Sequence, residues 1–211
     1  MTDTNVKLPR IPPLPREEWT DEARNVFAYW EGATAWENGS RSNTMLTLAQ
    51  HPKLAIASLD FGKYILIETK LTARQRELIV LRIAWRFGSE HQWTHHVLSG
   101  RKIGMTDDEF AALQQVGASS VWNEDEQALI EAIDQLCVKG QIDDATWTVL
   151  AATHDKRTLM DMLYAIGLFT MNAWAFNAMG IELEPDVAEY SRPADELVRA
   201  LGEEGISWRR D

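Results

Sequence analysis

The chain has 211 residues, 45% of them apolar and 9% aromatic, which is enough to build a substantial core and too much for a disordered polymer. Acidic side chains outnumber basic ones 32 to 21, a formal net charge of -11, so nucleic acid and anionic membrane surfaces would meet a repulsive average field. Cys137 is the only cysteine, which excludes an internal disulfide or a dithiol redox pair within one chain. Its neighbours Ile133, Leu136 and Val138 mark it as a structural thiol. With no signal-like N-terminus and no uninterrupted apolar run of bilayer length, a cytoplasmic protein with no membrane partner is expected.

Along the chain, Pro9, Pro12, Pro13 and Pro15 restrict the backbone and remove amide donors, so residues 1–16 are expected to be an extended arm. From Glu17 to Trp36, apolar residues recur at three- and four-residue intervals, predicting an amphipathic helix whose final turns Gly32 weakens. A second helical region over 45–68 is expected to be interrupted at His51-Pro52. Thr72 with Gln75 three residues later is a capping box for a helix carrying Glu77 and Arg82, and Phe87-Gly88 stops it.

Ser89 or Glu90 then starts a helix through His96 toward Ser99, with Gly100 and Gly104 bracketing its exit. Thr106 and the acids after it predict a helix through Leu113. Further helices are read at 124–138, 143–152 and 156–179, the last strongly apolar and suited to a buried or oligomer-facing position. The fold class is all-α, an antiparallel helical bundle. Its expected divisions are an N-terminal arm and helix (1–44), a helical domain (45–180) and a C-terminal extension (181–211).

The chemistry concentrates in the spacing Glu77-x11-Ser89-x-His91-Gln92-x3-His96. Three of the five histidines fall within six residues here. If Glu77 and His96 sit on neighbouring antiparallel helices, the carboxylate can orient the imidazole and raise its basicity, while the imidazole exchanges a proton near neutral pH. Glu77, His91 and His96 are therefore the candidate catalytic residues, against the alternative of a helix–helix hydrogen-bond network. Arg82, Ser89, Trp93 and His95 are the candidate substrate contacts. Arg82 or Arg86 could attract a carboxylate, and Trp85, Trp93, Trp147 and Trp174 could line an aromatic pocket. His91 and His95, four residues apart, could face one metal with Glu77 or Glu90 as a third ligand, but no complete ligand signature is present, and the expected metal and cofactor content is none.

Three segments together resemble the carboxymuconolactone decarboxylase and alkylhydroperoxidase-D-like superfamily: Leu71 to Arg82 (LTARQRELIVLR), Gly88 to His96 (GSEHQWTHH) and Gly104 to Phe110 (GMTDDEF). The resemblance extends over residues 45–180, including Tyr164 to Asn172, and implies an all-helical fold assembled as a homo-trimer or homo-hexamer. In the redox branch the motif places a glutamate, a cysteine, a histidine, a second cysteine and a further histidine at what are here Glu77, Ser89, His91, Gln92 and His96. Both redox cysteines are absent, which argues against peroxidase chemistry and points to a non-redox branch. In the decarboxylase branch the usual tyrosine and acid are replaced by His91 and Gln92.

The resemblance thus implies a lyase or decarboxylase-like enzyme, independent of a cofactor, acting by acid–base chemistry on a small carboxylated or lactone metabolite. His96 would be the acid or base, Glu77 its orienting group, and His91 would stabilise developing oxygen charge. The alternatives are a noncatalytic small-molecule-binding or oligomeric scaffold protein and a metal-assisted hydrolase.

Overall fold

Side chains that accept from backbone amides set the starts of most helices in this computed structural model, which describes residues 9–188. Thr20 caps α1 (Asp21–Glu31), which ends at Gly32, and a short α2 (Ala35–Asn38) follows. Ser42 caps α3 (Asn43–Leu48), and His51 Nδ1 accepts from Leu54 to open α4 (Pro52–Lys63), whose last turn widens into a π-helical turn at Tyr64–Glu68. Thr72 and Gln75 close a reciprocal capping box on α5 (Ala73–Phe87). After Gly88 come α6 (Glu90–Lys102), α7 (Asp107–Ala112, capped by Thr106), α8 (Glu124–Lys139, capped by Asn123), α9 (Asp144–Thr153, capped by Asp143) and α10 (Lys156–Met179, capped by Asp155). A last turn, α11 (Pro185–Ala188), ends the described chain, and no strand occurs among the described residues.

The apolar face of α5 organises the larger of two hydrophobic clusters. Leu78, Ile79, Val80, Leu81, Ile83 and Ala84 are fully buried against α6, α8 and α10. A second cluster joins Ala23, Val26 and Phe27 of α1 to Met45, Ala49, Ala55 and Leu59 of α3, the turn after it and α4, so the N-terminal helices form a layer of their own. Backbone amides of Arg10 and Ile11 donate to the Met179 carbonyl, tying the proline-rich arm to the end of α10. The fold is an all-α helical bundle.

Three local expectations change. The predicted 17–36 helix is broken at Gly32, which adopts φ +98°, a conformation closed to most side chains. Gly100 does not end α6, which runs on to Lys102; a Cβ there would lie 3.0 Å from the Phe110 ring and 3.1 Å from the Met105 sulfur, so this glycine serves close packing. Gly88 does terminate α5, in the left-handed conformation at φ +60°, turning the chain directly into α6.

By length and mean hydropathy α10 could cross a membrane, although Arg157, Asp161 and Asn172 interrupt its apolar run. A core helix meets the same criterion, and nine of its residues, among them Leu159, Met162, Ile166 and Phe169, are buried against the rest of the bundle. Its other face carries Met160, Tyr164, Met171 and Trp174, all exposed.

Arg82 lies deep in this core, only 1% exposed. Its guanidinium donates to both carboxylate oxygens of Asp134 on α8 at 2.8 and 2.6 Å, and to the carbonyls of Leu113 and Gln115 at 2.7 Å each. The predicted substrate anchor is thus a structural cross-brace between α5, α8 and the chain after α7. Arg74 bridges Glu109 and Glu126 near by.

Candidate active site

The turn at Gly88 sends α6 back along α5, which sets Glu77 beside His96. The Glu77 Oε2 to His96 Nδ1 separation is 2.8 Å. A carboxylate only accepts, so Nδ1 carries the hydrogen in this pair and Nε2 is left as the basic nitrogen. The His96 ring meets Phe169 of α10 edge-on at 5.9 Å.

His91, His95 and His96 all line one cavity of about 410 Å³. Its walls come from α3 (Thr44, Met45, Leu48), α4 (Ser58, Leu59, Gly62), α6 and α10 (Leu168, Phe169, Asn172, Phe176), with Trp30 of α1 and Leu66 completing them. The interior is largely apolar with a few convergent polar groups, the usual character of a small-molecule site. No Lys or Arg is among the lining residues.

His91 Nε2 lies 3.1 Å from the Thr44 hydroxyl, and its ring packs against His95 at a 41° tilt with centroids 4.5 Å apart. Burial, reinforced by the neighbouring His95, pushes the His91 pKa well below that of free imidazole, so the ring is neutral at physiological pH. His95 Nε2 is 2.8 Å from Glu184 Oε2. Burial pushes the Glu184 carboxyl up, but the hydrogen bonds with His95 and with the backbone amides of Glu184 itself and Asn43 outweigh it and hold it well below the usual carboxylate range.

Of the residues singled out by sequence, His91, His95 and His96 therefore share a cavity and Glu77 supports it from behind. Arg82, Ser89 and Trp93 do not line it. The Ser89 hydroxyl is fully buried at the start of α6 without a partner among the described residues, closed to a substrate. Trp93 packs on Trp85 inside the core, ring centroids 6.1 Å apart. The aromatic walls are Trp30, Phe169 and Phe176 in place of Trp85, Trp93, Trp147 and Trp174. Gln92 lines the cavity and donates to the Phe169 carbonyl at 3.2 Å. Thr44 and Glu184 were invisible in the motif because they come from distant segments, and no local spacing signals them.

A second hollow of about 700 Å³ lies between the π-helical turn and α10, where Tyr64 donates to Asp161 at 2.9 Å. That hydrogen bond raises the Tyr64 pKa further from neutrality.

The all-helical bundle and a histidine–carboxylate cluster in an apolar cavity define a general acid–base or redox-adjacent active site. Residues 52–135 match the profile of the carboxymuconolactone decarboxylase family. That segment, which carries Glu77 and the three histidines of the cavity, is similar to this family. No curated protein matches the sequence.

Among solved structures, the debrominase Bmp8, as a cysteine-to-alanine variant in complex with 2,3,4-tribromopyrrole, is similar at 18% identity and a TM-score of 0.68, over 89% of this chain and 96% of that one. An uncharacterised peroxidase-related protein from a Silicibacter species is similar at 17% identity and a TM-score of 0.66, over 89% and 95% of the two chains. A protein with an alkylhydroperoxidase AhpD core from Ralstonia eutropha is similar at 16% identity and 0.61, over 84% and 94%. These likenesses show a shared fold.

Proposed function

We propose that the protein is a lyase or decarboxylase-like enzyme that needs no organic cofactor and acts by acid–base chemistry on a small ring compound bearing a carbonyl. The observation that carries this reading is the Glu77–His96 hydrogen bond at the wall of an apolar cavity shared with His91. His96 Nε2 takes a proton from the carbon next to the carbonyl, and Glu77 stabilises the imidazolium that forms. The electron pair moves onto the carbonyl oxygen, which the neutral His91 ring meets as a hydrogen-bond donor. His96 then returns the proton to carbon or to the leaving group.

The cavity also sharpens the substrate class. With no Lys or Arg on its walls and with Arg82 consumed by Asp134, it favours a neutral lactone over a free carboxylate. The pyrrole bound by the debrominase of similar fold supports a small flat ring as the kind of ligand. A non-redox branch is supported by Ser89 and Gln92 at the two cysteine positions of the redox motif, and by Cys137, whose thiol burial pushes up to about 11. Assembly into a homo-oligomer is part of the proposal, with the exposed apolar stripe of α10 as the contact between copies.

The test is deuterium exchange and ring opening across a lactone panel, followed by proton NMR in heavy water. Wild type is expected to turn over at least one member, and His96→Gln to lose about 10²–10⁴-fold in rate with folding intact. Unchanged turnover in that variant, or saturable binding by wild type without product across the whole panel, overturns the reading.

A further inference from the structure

His91 and His95 stand one turn apart on α6, so both rings project from the same face. Glu184, beyond the end of α10 in the chain, reaches across to this face. One carboxylate oxygen contacts His95 Nε2 at 2.8 Å, while the other accepts the Asn43 amide at 2.7 Å. One ligand atom from each of the three residues lies within 4.8 Å of the others.

Glu184 is buried, at 7% exposure, and no Lys or Arg forms an ion pair with it among the described residues. A buried carboxylate facing two imidazoles, in a chain already carrying a net charge of -11, is a place where a cation is stabilised. The three residues come from two chain segments about ninety positions apart in sequence, an arrangement that a helix-surface pair of histidines alone would not require.

We propose that His91, His95 and Glu184 form a binding site for a divalent transition-metal ion at the edge of the histidine cavity. Two imidazoles and one carboxylate suit zinc, iron(II), manganese(II) or cobalt(II), and disfavour calcium and magnesium, which take oxygen ligands. Three protein ligands leave coordination positions open, the pattern of catalytic sites as opposed to closed structural ones. Metal–ligand bonds of about 2.0–2.1 Å set donor atoms about 3.3 Å apart in a tetrahedral site, so the 2.8 Å His95–Glu184 contact opens slightly as the ion enters. The His95–Glu184 hydrogen bond already holds two of them together, so the ion replaces the hydrogen between them.

Because His91 and His95 line the cavity, an ion there supplies the positive charge its walls otherwise lack and can polarise a substrate oxygen. The site stands on its own geometry and does not rest on the Glu77–His96 reading. His96, paired with Glu77, is not a member of it.

The experiment uses untagged full-length protein freed of metal by chelator, titrated with Zn2+ by calorimetry and with Co2+ by visible absorption. Wild type is expected to bind about one Zn2+ per chain, and Co2+ to develop ligand-field bands from the same site. His95→Ala and the near-isosteric Glu184→Gln are each expected to weaken Zn2+ by at least about 10-fold, with near-UV circular dichroism confirming the fold. His154→Ala, which removes an imidazole paired with Asp125 elsewhere in the bundle, leaves the affinity unchanged.

Absence of stoichiometric uptake by wild type, or equal Zn2+ affinity in wild type and Glu184→Gln, overturns the site. Glu77→Gln separates the two proposals. It keeps the metal while losing turnover if both hold, and its turnover reports on the acid–base pair even if no metal binds.

Discussion

Replacing Asp134 by alanine isolates the most deeply buried charge among the described residues, Arg82. Arg82 would lose both carboxylate hydrogen bonds and keep only the carbonyls of Leu113 and Gln115, with a side chain 1% exposed. Breaking a buried pair from one side costs about 3–5 kcal/mol because the remaining charge is uncompensated. Arg86, with Nε 3.7 Å from Asp134, also loses its partner but is less deeply buried, so its share is small.

In a chain of this length, a loss of that size lowers Tm by roughly 10 °C. Arg82→Met removes the charge itself, so its cost falls mainly on the two carbonyls left without a donor, each about 1–3 kcal/mol. Combining Arg82→Met with Asp134→Leu should recover part of the Asp134→Ala loss, since no buried charge is left unpaired. Urea denaturation of the three variants, followed by far-UV circular dichroism, measures these differences. An unchanged urea midpoint in Asp134→Ala, with only a raised KM, would refute the structural assignment and return Arg82 to the substrate.

Glu77→Gln keeps the shape of the His96 partner but not its charge. It should cut turnover by about 10²-fold or more while leaving the urea midpoint within about 1 kcal/mol of wild type, and equal rates would remove Glu77 from the mechanism. His91, facing His95, His96, Glu184 and Thr44, has a folded pKa below its unfolded value of about 6.5, so below that pH the unfolded chain binds a proton the native state resists. Stability is therefore full above about pH 6.5 and declines as pH falls, with a further loss as Glu184 protonates at lower pH. His91→Asn should flatten the upper limb of that decline, and an identical pH slope in variant and wild type would contradict it. Tyr164→Asp, placed at the centre of the exposed α10 stripe, is expected to dissociate the proposed homo-oligomer in sedimentation velocity, and a monomeric wild type would remove that surface as a contact.

Helix identity was legible because its determinants are local. Thr72 with Gln75 is a capping box whose partners lie three residues apart, and it forms as read, while the Thr106 cap that was read is completed by Glu109 into a second box. The Lys156–Met179 helix follows from its strongly apolar composition. The pairing of Glu77 with His96 was also within reach, since one turn at Gly88 is the only tertiary step between them.

What lay beyond the sequence were the contacts whose partners are remote in the chain. Arg82 reads equally as a substrate anchor or a core brace until α8 brings Asp134 to it, because an arginine carries the same charge in either place. Ser89 and Trp93 belong to the motif, yet helix rotation turns them into the interior while His91, His95 and His96 face the cavity. Glu184 joins the histidines only because the chain beyond α10 folds back over α6. Local spacing thus determined the elements and the likeness to the family, whereas the walls of the cavity and the partners of its charges were decided by packing between segments that no periodicity connects.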